Sequence, residues 1–189
     1  GIVDIGHHPE DGFAFDNEGP RHRALLEPFA IADRLVTCGE WLEFMSDRGY
    51  HQATLWLSAG WHHICANGWD APGYWFAVDG EWHKFTLDGV RPVDPDEPVV
   101  HVSHYEADAF ARWAGARLPL ESEWEAAAGE APVEGPFVGS DPLAAPLHPT
   151  AADPAERGLQ QLYGHVWQWT SSPYVGYPGF TTAEGAVGE

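Results

Sequence analysis

Apolar stretches in this chain never run far before a glycine or proline interrupts them: twenty-one glycines and sixteen prolines are spread through 189 residues. Glycine loses entropy inside a regular element, and proline lacks the N–H that helices and strand ladders use. The chain therefore reads as loop-rich, and the stretch 164–180 in particular as neither a long helix nor a regular strand. Ten tryptophans supply apolar area for such loops, since a large aromatic can bury about 150–250 Å². The length fits one domain spanning residues 1–189.

Charge narrows the partners. Asp and Glu outnumber Lys and Arg by 29 to 9, a formal net charge of −20. Binding a phosphate backbone needs clustered cations, so nucleic acid and anionic membrane surfaces are not expected partners. The acids are dispersed, as on a solvated surface. Cys38 and Cys65 have no CxxC or metal-ligand spacing and read as free thiols of a reducing compartment. No apolar run approaches the roughly 20 residues of a membrane span. The chain reads as soluble and cytoplasmic. It begins with Gly1, carries its single methionine at Met45 and stops at "GAVGE", so both ends are expected to be cut from something longer.

Local signals place the elements. "GIVDIGH" opens as a strand, followed by apolar runs at Ala24–Leu26 and Phe29–Val36. Thr37 with Glu40 forms a capping box for a helix from about Cys38 to Arg48, with Trp41, Leu42, Phe44 and Met45 at helical spacing. Residues 50–97 are rich in tryptophan and read as irregular, except for a hairpin around Asp79-Gly80, a type I′ signal. "VVHVS" reads as a strand ending on Ser103, which with Glu106 caps a helix from His104 to Ala114. A further helix follows Pro119, with Leu120, Trp124 and Ala127 or Ala128 inward and Gly129 ending it. Residues 130–160 lack periodicity and read as a long loop.

Three segments in this order, "RHRALLEPFAIADRLVTCGEWLEF", "HVSHYEADAFARWAGARLPLESEWEAAA" and "GHVWQWTSSPYVGYPGF", resemble the formylglycine-generating-enzyme-like (sulfatase-modifying factor) domain over nearly the whole chain. The resemblance implies an α+β, C-type-lectin-like fold poor in regular structure. "FAFDNEGPRHR", "LWLSAGW" and "SPYVGYPGF" are similar to the C-terminal domain of the sulfoxide synthases of ergothioneine biosynthesis, the hercynine oxygenases. Such enzymes use non-haem Fe(II) and O2 to join a thiol, γ-glutamylcysteine or cysteine, to carbon 2 of the imidazole of hercynine. The resemblance implies that the iron ligands come mainly from an N-terminal DinB-like domain absent here. It also implies that the family's C-terminal segment continues past this chain, which would make these residues a fragment inactive alone. Within the same superfamily stand ovothiol and selenoneine synthases, formylglycine-generating enzymes and non-catalytic lectin-like binding modules.

Tyr174 matches the family's active-site tyrosine, implicated as the proton donor that steers reaction toward C–S bond formation, and Tyr177 would line the same pocket. From the residues alone, a tyrosine in such an aromatic loop is more often a packing residue with its hydroxyl satisfied, and it is the resemblance that reverses this for Tyr174. A tyrosine is protonated at neutral pH and suits a general acid. Trp167 and Trp169, two apart in "VWQW", would share one face of an extended segment and read as core that holds the loop carrying Tyr174. Where the superfamily has "GNVWEW", this chain has His165 and Gln168 in place of the Asn and Glu that help bind calcium, so no calcium is expected there. The eleven histidines lack metal-site spacing, and no metal ligand is assigned within the chain. Asp16, Asn17 and Glu18 could offer polar contacts or simply form a turn. A cation-π box for a trimethylammonium group is chemically open to the tryptophan-rich stretch, with no one tryptophan assigned.

Overall fold

In the computed structural model, which describes residues 1–8, 10–129, 131–137, 147–182 and 184–185, helix starts follow the capping chemistry. Helix α1 spans Cys38–Ser46: Thr37 Oγ1 accepts the Glu40 N–H at 3.2 Å, and Glu40 returns the bond to the Thr37 N–H at 2.8 Å. Helix α2 spans Ser58–Asn67 and ends on Gly68 in the left-handed region, the usual glycine stop. Helix α3 spans His104–Trp113, with the matching box between Ser103 and Glu106. Helix α4 spans Glu121–Ala128. Two antiparallel sheets complete the regular structure: β1 (Ile2–Ile5) with β2 (His22–Leu25), and β3 (Trp75–Val78), β4 (Glu81–Thr86) and β5 (Gly89–Pro92) in that order. The result is the expected α+β architecture with limited regular structure.

The chain divides into two compact units. One comprises Gly1–Ile31, Pro119–Glu130 and Thr170–Glu189; the other comprises Ala32–Leu118 and Ala131–Trp169.

The core of the larger unit is aromatic. Trp41, Phe44, Tyr50, Trp56, Ile64, Ala109 and Phe110 are buried together, and Trp41 stacks on Phe110 with ring centroids 4.9 Å apart. Tyr50 donates its hydroxyl to Glu106 Oε1 at 2.7 Å, and Trp56 Nε1 donates to the Gly49 carbonyl at 2.9 Å, so the polar ends of both rings are satisfied. Gly49 is required by this packing. A Cβ there would stand 2.0 Å from the buried Phe44 ring. Gly49→Ala is expected to destabilise the protein by about 1–3 kcal/mol through overpacking, read as a lower denaturation midpoint.

Beneath β4 lies a buried ionic cluster. Lys84 Nζ and Glu97 Oε2 are 2.6 Å apart, and Arg91 reaches Glu97 Oε1 at 2.9 Å. Cys38 Sγ lies 3.9 Å from Lys84 Nζ, and burial pushes its thiol up to about 11 despite that cation. Cys38 and Cys65 are both free thiols, the first buried and the second exposed on α2.

Several expectations are corrected. The 50–97 stretch is not irregular apart from one hairpin: it contains α2, and the hairpin gains a third strand, β5. The hairpin turn itself is as expected, with Asp79 and Gly80 both at positive φ. Val99–Ser103 is not a strand, because His101 at φ 61° turns the backbone out of the extended region after a single bridge at Pro98. Leu120 is exposed rather than inward, and the buried side chains of α4 are Glu123 and Ala128. Leu120 precedes the helix, and its N–H donates to Glu123 Oε2 at 2.8 Å, which carries the carboxylate inward. Within the expected 130–160 loop, residues 130 and 138–146 lie outside the described residues; the remainder carries no helix or strand.

Candidate functional site

The β1–β2 ladder in the smaller unit sets the site. Ile5 pairs with His22, and Gly6 follows directly at φ 97°. That positive φ favours glycine, and a Cβ at Gly6 would meet the Glu18 carbonyl at 3.1 Å. Helix α4 packs against β1, and its Glu121 and Glu125, four residues apart, lie on one helical face.

The C-terminal loop is tied to α4 at one end and to the β1–β2 connection at the other. The Ser171 N–H and hydroxyl both donate to the Pro119 carbonyl, at 2.8 and 3.1 Å, and Ser172 Oγ accepts the Glu121 N–H at 3.0 Å. Farther along, the Asn17 amide donates to Tyr174 Oη at 2.8 Å, and Tyr177 Oη approaches Glu125 Oε2 at 3.4 Å. The loop closes on itself through the Phe180 N–H and the Tyr177 carbonyl at 2.8 Å.

The two tyrosines meet different surroundings. Tyr174 is 79% exposed and presents its ring to solvent. Tyr177 is half-buried with its ring tilted against His22, centroids 4.6 Å apart. Burial, followed by the negative charges of Glu121 and Glu125, drives its ionisation well above the usual tyrosine range. The His22 Nδ1 stands 3.1 Å from the Pro20 carbonyl. A carbonyl only accepts, so in this bond Nδ1 is the donor.

The structure thus brings Tyr174 and Tyr177 into one unit with Asn17, His22 and Glu125. Asn17 is legible in the sequence as a possible polar contact or a turn residue, and it does both: it sits in the short 3-10 turn Asp16–Glu18 and donates to Tyr174. Glu125 and His22 carry no separate sequence signal beyond the i, i+4 spacing of Glu121 and Glu125.

Trp167 and Trp169 do not form core. Trp167 is fully exposed and Trp169 is 49% exposed, its Nε1 donating to the Val102 carbonyl at 2.9 Å. The two share a side, as an extended segment requires, but the alternation turns Val166 and Gln168 inward and the tryptophans outward. They therefore cannot hold the loop by burial. Gln168 Nε2 donates to the Leu162 carbonyl at 3.0 Å, a bond that a carboxylate at this position could not make. His165 Nδ1 is buried without a hydrogen-bond partner, and burial lowers the basicity of its ring.

Among the described residues, no group of three or more His, Cys, Asp or Glu side chains is arranged to hold a metal ion. Among the same residues, no helix is long and apolar enough to cross a membrane.

Comparison with known proteins places this geometry in context. The Sulfatase-modifying factor enzyme 1-like domain matches residues 1–148. The chain is 41% identical to a hercynine oxygenase of Mycolicibacterium thermoresistibile across 95% of its own length and 43% of that protein. The corresponding figures for the hercynine oxygenase of Mycolicibacterium smegmatis are 40%, 89% and 42%. A formylglycine-generating enzyme of Thermomonospora curvata is 30% identical over 89% of the chain and 68% of the enzyme. The chain therefore spans less than half the length of the hercynine oxygenases that it matches.

Proposed function

The chain belongs to the sulfatase-modifying factor enzyme 1-like family, and from that premise we propose that it is part of an iron-dependent, O2-using sulfoxide synthase of ergothioneine biosynthesis. The substrates are hercynine and a thiol, γ-glutamylcysteine or cysteine, and the bond formed joins sulfur to the imidazole C2. The site is cytoplasmic and works with an N-terminal DinB-like domain that supplies most iron ligands. Iron supplies O2 activation; this chain supplies proton transfer and orientation.

The observation that carries the reading is the Tyr174 hydroxyl, held at a surface-facing loop by the Asn17 amide. Tyr174 acts as proton donor. Asn17 donates to the same oxygen that gains negative charge when the proton leaves, so the bond strengthens as transfer proceeds. Tyr177, half-buried three residues on, lines the substrate side of the loop. The greater likeness to hercynine oxygenases than to the formylglycine-generating enzyme supports this choice. The cysteines also favour it: Cys38 is buried beside Lys84 and Cys65 is exposed on α2, so they do not offer the copper-binding pair of formylglycine formation.

The test uses the whole protein with Fe(II), O2, hercynine and each thiol in turn, with mass spectrometry of the products. Sulfoxide formation is expected. Its absence with every thiol or selenol donor would overturn the reading and bring a non-catalytic binding module to the front.

A further inference from the structure

The two oxygens of the Glu125 carboxylate serve different partners. Oε1 accepts the backbone N–H of Gly6 at 2.6 Å, where β1 ends, and Oε2 faces Tyr177 Oη at 3.4 Å. The first bond is short, long-range and anchored on backbone, so it fixes the plane of the carboxylate and aims the second oxygen at the phenol. An ionised carboxylate has no proton to give, so the hydrogen in the Glu125–Tyr177 contact belongs to the tyrosine. A phenol owns a single proton. Once that proton points at Glu125, the oxygen offers lone pairs to whatever approaches from elsewhere.

The surrounding charges act in the same sense. His22 faces Tyr177 from β2, Glu121 and Glu125 from α4, and Glu18 from the β1–β2 connection. Three carboxylates oppose formation of a tyrosinate and favour a hydrogen-bond donor, above all a cationic one, beside Oη. Tyr174 is held in the opposite way, since its oxygen receives a proton donor, the Asn17 amide.

We propose that Glu125 is a positioning residue that fixes Tyr177 as a hydrogen-bond acceptor, dividing the loop's work: Tyr174 gives a proton and Tyr177 receives an N–H donor of the bound substrate. The donor is an imidazole N–H or the ammonium of the thiol-bearing amino acid. This assignment rests on the synthase reading above, and it makes the two tyrosines non-interchangeable.

The test compares Tyr177→Phe and Glu125→Gln with wild type in the whole iron-loaded protein, and follows Tyr177 ionisation in the metal-free protein by NMR of isotope-labelled tyrosine. Tyr177→Phe is expected to raise KM for one substrate by roughly tenfold, the loss of one hydrogen bond, with the sulfoxide-to-oxidised-thiol ratio of wild type. The substrate whose KM rises identifies the donor. Glu125→Gln keeps an acceptor for Gly6 but removes the charge; it is expected to raise the same KM and to move Tyr177 ionisation to lower pH, which a merely structural role would not do. A product shift toward thiol oxidation in Tyr177→Phe would overturn the proposal, because Tyr177 would then be a proton donor. An unmoved Tyr177 titration in Glu125→Gln would also overturn it. If wild type makes no sulfoxide, the synthase reading falls, while the titration still decides the Glu125–Tyr177 pairing. Tyr177→Phe deletes only the hydroxyl, so it remains decisive if Glu125→Gln fails to fold.

Discussion

Tyr174→Phe is expected to lower sulfoxide formation by about 10²–10⁴-fold in the whole iron-loaded protein and to divert turnover toward oxidation of the thiol alone. The substitution removes one oxygen and its proton. With the ring 79% exposed, little packing depends on it, and the thermal midpoint should stay within experimental error of wild type. A loss confined to product partition would therefore be chemical rather than structural. Asn17→Ala should follow in the same direction by roughly tenfold, since it removes one donor from the phenol oxygen while the acid remains. The measurement is the ratio of sulfoxide to oxidised thiol by mass spectrometry. An unchanged ratio in Tyr174→Phe would remove this tyrosine from the reaction.

The largest effect on stability is expected from the buried ionic cluster. Lys84 is 2% exposed and Glu97 4%, and Glu97 is the shared acceptor for Lys84 and Arg91. Glu97→Ala leaves two cations facing one another without that acceptor, an arrangement that costs about 3–5 kcal/mol when a buried partner is removed. The internal control is Arg34, whose paired contacts with Glu40 at 2.9 Å lie at the surface. Breaking that pair with Arg34→Ala should cost under about 1 kcal/mol. Denaturant titrations of both variants check the contrast. Equal losses would mean that solvent reaches Lys84 and that the cluster is not the closed unit its geometry describes.

Elements written in local chemistry were the legible ones. Thr37 with Glu40 and Ser103 with Glu106 announce α1 and α3 because the capping groups sit three residues apart, and the structure forms both reciprocal pairs. Helix α2 lacks that signal: Leu57 precedes it without a side-chain cap, and its buried residues are only Gly60 and Ile64. Strand β5 is four residues long and ends on a proline, so nothing periodic marks it. Alternation showed that Trp167 and Trp169 share a side but not which side, because the neighbours that decide burial are remote in sequence. The site follows the same division. The loop tyrosines stood out through their motif, whereas Asn17 lies 157 residues from Tyr174 and Glu125 lies 52 residues from Tyr177. No short-range spacing encodes such pairs.

Glu106 belongs to two segments at once. One oxygen closes the cap at Ser103 and the other receives the Tyr50 hydroxyl, both at 2.7 Å. The first turn of α3 and the short 3-10 turn Gly49–His51 consequently share a single fastening. Loss of either bond leaves an oxygen of the same buried carboxylate without its partner, so opening of one segment is expected to weaken the other, which amide hydrogen exchange at both places would show.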